Sequence, residues 1–381
     1  MLGRCTPNLF VCLMTARNPT IDQIKAIACL LIVGHHLAFY GPMSDALRDS
    51  LPHFLYWMDK YARMAVQVFL VFGGYFAAAG LAPQGRATFT AFWPTLNKRF
   101  IRLSLPYSAA LLVAIVINET VRGLGFEHAS VSDTPTWMGL LAHLLLLQSI
   151  TGYEALSAGV WYVAIDFQLY ALCLLWFWLC SKASRWAGWA QLGIAALTAA
   201  SLWIWNLNTD KDIWCLYFMG AYGLGIMAWW ATHSPQSKQR MLWIAVIVAL
   251  AGSALLLQWR DRIAIAAVSA WLIAVCGNLR WPAAWRDFQI TPLCWIGQRS
   301  YSIFLIHFPM CLLVNAEVSR SWPDSIVANS LGIGFAMLLS IAAGAALYDC
   351  TENTKATWKH LGRWQAGVLS AGALATLLQW I

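Results

Sequence analysis

The chain has 381 residues, of which 60% are hydrophobic and 11% charged, with a mean hydropathy of +0.59 and a formal net charge of +8. A soluble domain carries about 25% charged residues, so this chain cannot cover its surface with charge and lipid must be the solvent for much of it. The surplus of 25 Lys+Arg over 17 Asp+Glu sits in short loops between apolar runs, where it signals topology and excludes a basic nucleic-acid-binding face.

In chain order, residues 1–20 hold Arg4, a short apolar patch and Arg17. The patch is too short to cross a bilayer and no convincing small-residue cleavage site follows it, so it reads as a cytoplasmic segment and not as a signal peptide. A membrane-embedded domain then fills 21–381. Its first span runs from Asp22 to Tyr40, and others are expected at 64–82, 103–118, 160–180, 187–205, 213–231, 241–258, 262–278, 296–315, 326–348 and 364–381. The run 137–150 is apolar but short, and reads as a re-entrant or interfacial helix. The fold expected is an all-α integral membrane bundle of ten to eleven transmembrane helices.

Orientation follows from the basic loops. Lys98, Arg99 and Arg102 precede the third span, Lys182 and Arg185 follow the fourth, and Lys238, Arg240, Arg280, Arg286, Lys355, Lys359 and Arg363 fall on the same side. The positive-inside rule makes that side cytoplasmic, which puts the N-terminus inside and predicts a multi-pass protein of the cell inner membrane. The 23 tryptophans suit aromatic belts at helix ends. The ten cysteines contain no CxxC pair and read as small core hydrophobes, with no metal site expected.

Polar residues at membrane depth are costly and mark function by default. Asp22 and Lys25 are three apart and can pair. His36 follows Lys25 by eleven residues, which returns it to within about 20° of the same face, roughly 16 Å along the helix; His35 points about 100° away. By itself His36 reads first as a structural histidine bonded to a neighbouring helix. Asp166 and Gln168 interrupt the span that starts at Trp161, with Tyr170 on the same face as Asp166. His307 lies between Tyr301-Ser302 and Pro309, where a kink is expected. Arg99 and Arg102 are either ordinary inner-side charge or a phosphate clamp, since guanidinium forks suit phosphate oxygens. Gly73-Gly74 allows close helix approach.

These pieces together resemble the acyltransferase 3 family of membrane acyltransferases. Ile21-Asp22-Gln23-Ile24-Lys25 through His36 is similar to its first helix, where an arginine precedes a histidine by eleven positions. Phe69 to Tyr75 resembles FFVLSGF, Lys98 to Arg102 the basic RRxxR run, Trp161 to Tyr170 WSLSVEEQFY, and Tyr301 to Pro309 SYSLYLxHxP. Lys25 stands where arginine is usual, Asp166 where glutamate is, Phe167 where a second acid is common, and Gly73 where serine is.

The resemblance implies acyl transfer, commonly acetyl, from cytoplasmic acetyl-CoA as co-substrate, with no bound cofactor, to a hydroxyl of an extracytoplasmic or lipid-linked glycan. On that expectation His36 is the general base, Lys25 held by Asp22 orients the donor or steadies charge, and Arg99 and Arg102 bind the donor. Trp161, Asp166, Gln168, Tyr170, Tyr301, Ser302 and His307 line the acceptor path or are structural. Acyl-CoA, the glycan and membrane lipids are the partners. A transporter or flippase for a lipid-linked sugar or small solute would suit the same intramembrane charges, although no paired broken helices appear in matching halves. A relative that binds acceptor without catalysis is the other alternative.

Overall fold

A computed structural model of the chain describes residues 18–182, 188–279 and 288–378. The expected segment 1–20 therefore lies almost wholly outside the described residues, as do Arg185, Arg280 and Arg286. Everything regular among the described residues is helical. Helix α1 is Pro19–Phe39, α2 Pro42–Leu47 and α3 Pro52–Lys60; a 3₁₀ turn, Ala62–Ala65, leads into α4, Val66–Leu81. Then come α5 (Phe92–Gly123), α6 (Trp137–Leu144), α7 (Val160–Ser181), α8 (Trp189–Trp203) and α9 (Cys215–His233). The series closes with α10 (Ser237–Leu257), α11 (Asp261–Cys276), α12 (Thr291–Ser321), α13 (Ile326–Cys350) and α14 (Trp358–Leu378).

Local chemistry sets several starts. The Asn18 side chain accepts from the Thr20 and Ile21 amides at 3.0 and 3.4 Å, and Pro19 opens α1, where a missing N–H costs nothing. Ser325 caps α13 by accepting from Ala328 N at 3.2 Å. Helix α6 has eight residues, about 12 Å at 1.5 Å per residue, so it does not cross a bilayer, in keeping with the reading of 137–150.

Every expected span coincides with a helix, but length and hydropathy by themselves support eight of the eleven as membrane-crossing. Helix α11 has only 16 residues. Helix α9 is rich in Gly and Tyr and is buried along most of its length, so its neighbours are protein and its sequence has no need of lipid-facing hydrocarbon. Helix α14 opens on a polar turn, Lys359 to Arg363.

Burial sorts the bundle. In the apolar stretch of α12, 83% of residues are buried, against 22% in α10 and in α13. The outward residues of α13, such as Leu331, Phe335 and Leu338, are exposed and apolar, the surface a helix shows to lipid. Helix α12 is thus central, packed on α1, α5 and α13. Gly74 sits against the Tyr222 carbonyl and Gly225 against the Val71 carbonyl, so α4 and α9 meet backbone to backbone, the close approach that Gly73-Gly74 predicts.

Candidate active site

Alternating helix direction gathers the basic residues and the histidines at different depths. Lys25, Arg102 and Glu352 lie toward one end, hereafter the Lys25 end. At the opposite, Tyr40 end, Gly41 turns the chain with φ of +120° directly against the Asn315 side chain. Asn315 accepts from Met43 N at 3.2 Å and donates to the Tyr40 and Cys311 carbonyls, which ties the α1–α2 turn to α12.

The central finding is a pair of histidines. His36 Nδ1 lies 2.6 Å from His307 Nε2, with the rings stacked at 4.8 Å between centroids. His307 is fully buried, and its Nδ1 lies 2.7 Å from the Phe304 carbonyl oxygen. A carbonyl only accepts, so His307 Nδ1 carries a proton and, in the neutral ring, His307 Nε2 is the acceptor. His36 Nδ1 must then donate, which leaves the lone pair of neutral His36 on Nε2. That atom has no hydrogen-bond partner among the described residues. The relay Phe304 carbonyl–His307–His36 therefore presents one imidazole nitrogen as a free base. Gly159 makes room for it: a Cβ there would lie 2.8 Å from the Phe304 oxygen. His35 points elsewhere, as the helical wheel predicts, with Nδ1 3.3 Å from the Met58 carbonyl and 4.0 Å from Asp59.

Toward the Lys25 end, Lys25 Nζ lies 3.5 Å from Asp22 Oδ1. Ser302 donates to Glu352 Oε1 at 2.5 Å, and Tyr301 donates to the Leu103 carbonyl at 2.9 Å. Glu352 follows α13. Although its surface is accessible, it is surrounded by enough protein that burial pushes its carboxyl up, opposed by the Ser302 hydroxyl and by the charges of Lys25 and Arg102. Arg102 is exposed and forms no ion pair within 4 Å among the described residues.

Arg99 and Arg102 do not form a matched pair of free guanidiniums. Arg99 turns into the bundle, donates to Asp166 Oδ2 at 2.5 Å and lies over the Tyr170 ring at 5.0 Å. Asp166 is 4% exposed, so the carboxylate at membrane depth is a paired one. Tyr222 of α9 crowds the same spot: a Cβ at Gly73 would lie 2.9 Å from both Asp166 Oδ1 and Tyr222 Cε2. Glycine at position 73 thus matches the inward Asp166. Gln168 is apart from this cluster and donates to the Leu146 carbonyl at 3.0 Å, bracing a residue with φ of +59°. Trp161 packs on Phe218 at 5.4 Å toward the Tyr40 end. Of the expected site residues, the structure joins His36 with His307, Arg99 with Asp166 and Tyr170, and Ser302 with a residue that was not expected, Glu352. A signal for Glu352 existed in its acidity within a loop that is otherwise basic.

Against this geometry, a family model described as an acyltransferase domain matches residues 18–349. The chain belongs to the acyltransferase 3 family. The match takes in both histidines, Lys25, Arg99, Arg102 and Asp166, and makes the protein a membrane acyltransferase in general terms. Glu352 lies just beyond the matched residues. No curated protein and no solved structure matches the chain.

Proposed function

We propose that this acyltransferase moves an acyl group, of which acetyl is the simplest, from cytoplasmic acyl-CoA to a hydroxyl of a glycan presented on the other side of the membrane. The observation that carries the reading is the His36–His307 relay, which leaves His36 Nε2 unprotonated and unpartnered on the stripe of α1 that also bears Lys25. The Lys25 end is the cytoplasmic one on this reading, in accord with the basic loops.

The acceptor O–H gives its proton to His36 Nε2 as its oxygen attacks the thioester carbon. His307 Nε2 accepts from His36 Nδ1–H throughout, so it holds the ring and steadies the imidazolium that forms. Collapse of the tetrahedral species breaks the C–S bond, and the proton on His36 Nε2 passes to the departing CoA thiolate. The base returns to its starting state, and no acyl-enzyme is required.

Lys25 lies roughly 16 Å from His36 along α1, too far to steady an oxyanion beside the histidine, so its role belongs to the donor. Lys25 and Arg102 suit the donor's phosphates, and an extended pantetheine arm bridges the interval to His36. Arg99, neutralised by Asp166, shapes the floor of that route and makes a weaker claim on phosphate than Arg102.

The test is direct. Purified protein in nanodiscs is given labelled acetyl-CoA and a panel of glycans, with CoA release and labelled glycan as readouts. Transfer that is lost in His36→Ala supports the reading; full transfer in a well-folded His36→Ala protein overturns the base assignment.

A further inference from the structure

The Tyr40 end carries a rim of charge that neither the histidine pair nor the donor residues use. Arg262, at the start of α11, lays its guanidinium over the Tyr217 ring at 4.4 Å and donates to the Asn206 carbonyl at 3.2 Å. From there the contacts run ring to ring toward the histidines. Tyr217 meets Phe218 at 4.9 Å, and Phe218 meets Trp161 at 5.4 Å. Trp161 adjoins Tyr162, which meets Phe304 at 5.3 Å, and Phe304 adjoins His307 at 5.9 Å. A wall of aromatic contacts, with Tyr217, Phe218 and Phe304 buried in it and Trp161 partly exposed, thus leads from Arg262 to His307, the partner of the base.

Arg63 closes the circuit on the other side. It stands in the 3₁₀ turn just past Met58 and Asp59, the residues that receive His35, and this turn packs on both α1 and α11. Its charge acts on His35 and on Arg262 alike. Arg63 is exposed and has no ion pair within 4 Å among the described residues. Two carboxylates are close by: Asp212 acts on Arg262, and Asp59 lies 4.0 Å from His35. Neither pairs with Arg63. Like charges within range of one another raise the free energy of this rim and favour a counter-ion between them.

Building on the acyl-transfer reading, we propose that the acceptor glycan bears an oxyanion, a carboxylate or a phosphate, held by Arg63 and Arg262 while its sugar ring rests on the partly exposed Trp161, which buried Phe218 backs. Guanidinium forks match the paired oxygens of either anion, and the Trp161 face offers apolar area at little entropic cost. The anion fixes register along the wall, so that one hydroxyl of the sugar reaches His36 Nε2.

The experiment reads binding without turnover. The full chain in nanodiscs of neutral lipid is titrated, with no acyl-CoA present, with three oligosaccharides of equal length: neutral, uronate-bearing and phosphate-bearing. The charged glycans are expected to bind at least tenfold more tightly than the neutral one, with an advantage that shrinks as salt rises. Their relative affinities show which anion is preferred. Arg63→Gln is expected to cut the charged-to-neutral ratio at least fivefold, and its exposed, unpaired side chain makes it the deciding variant should Arg262→Gln not fold. Equal binding of neutral and charged glycans, no binding of any glycan, or a charge preference untouched by both substitutions would overturn the proposal. Failure of the acyl-transfer reading looks different: no CoA release with any acceptor, whatever the binding.

Discussion

His36 Nδ1 and His307 Nε2 stand 2.6 Å apart although 271 positions separate them in the chain. The contact orders the two imidazoles by role. His307, anchored by the Phe304 carbonyl, can only receive from His36, so His36 alone has a nitrogen free for an acceptor hydroxyl.

Substitutions at the three histidines should therefore be graded. General-base catalysis is worth about 10²–10⁴-fold, and His36→Ala should lose that much of kcat. His307→Ala leaves the base present but unoriented and should lose roughly tenfold to a hundredfold in kcat with KM for acyl-CoA little changed. His35→Ala, which forfeits only the contacts to Met58 and Asp59, should change kcat by less than about threefold. Steady-state kinetics on monodisperse protein check the order; a His35 defect larger than that of His307 would reverse the assignment.

Arg99 and Asp166 should behave as a structural couple. Removing one partner of a buried pair costs about 3–5 kcal/mol because the other charge stays buried and uncompensated. Arg99→Gln and Asp166→Asn should each lower the melting temperature in detergent strongly, and the double variant should lose less than the two single losses combined. Additive losses would mean that the pair is not coupled.

Arg102→Gln is the contrasting case. The side chain is exposed, so stability should shift by less than about 0.5 kcal/mol, while acyl-CoA binding weakens and its salt dependence flattens. Unchanged affinity for acyl-CoA would return Arg102 to a purely topological role.

Glu352→Gln removes a negative charge from the electrostatic neighbourhood of Lys25 and Arg102. If that end receives a polyanionic donor, the variant should bind acyl-CoA about two- to fivefold more tightly at low salt, with the gain fading at high salt. Weaker binding at all ionic strengths would instead make Glu352 the group that positions Lys25. Isothermal titration across a salt series separates the two outcomes.

Gly74→Val should prevent proper assembly, since a Cβ there runs into the Tyr222 carbonyl, which cannot move without shifting α9. Gly80→Ala, with open space around the added carbon, is the control and should express and elute normally. Size-exclusion profiles of the two in detergent read the result.

Much of this was legible from residues alone. Periodic 18–20-residue apolar runs announce membrane helices because backbone groups in lipid must bond within their own segment, and each expected span met a helix. The Lys25–His36 stripe and the shared face of Asp166 and Tyr170 are matters of 100° per residue, so they too were readable. The phosphate clamp was less legible. Arg99 and Arg102 look equivalent in sequence, yet one turns inward to Asp166 and the other stays exposed, because only Arg99 has a carboxylate of α7 within reach.

By itself, then, the sequence determined the solvent, the helices, the clustering of basic residues and the histidine stripe, since each follows from local composition and helical geometry. Tertiary structure alone decided which nitrogen of His36 is free, that Asp166 neutralises Arg99, that Glu352 sits by Ser302, and that the turn bearing Arg63 packs on α11, which bears Arg262. Those are pairings between helices distant in the chain. They depend on how α12 packs against α1 and how α7 packs against α5, and no spacing along one helix encodes them.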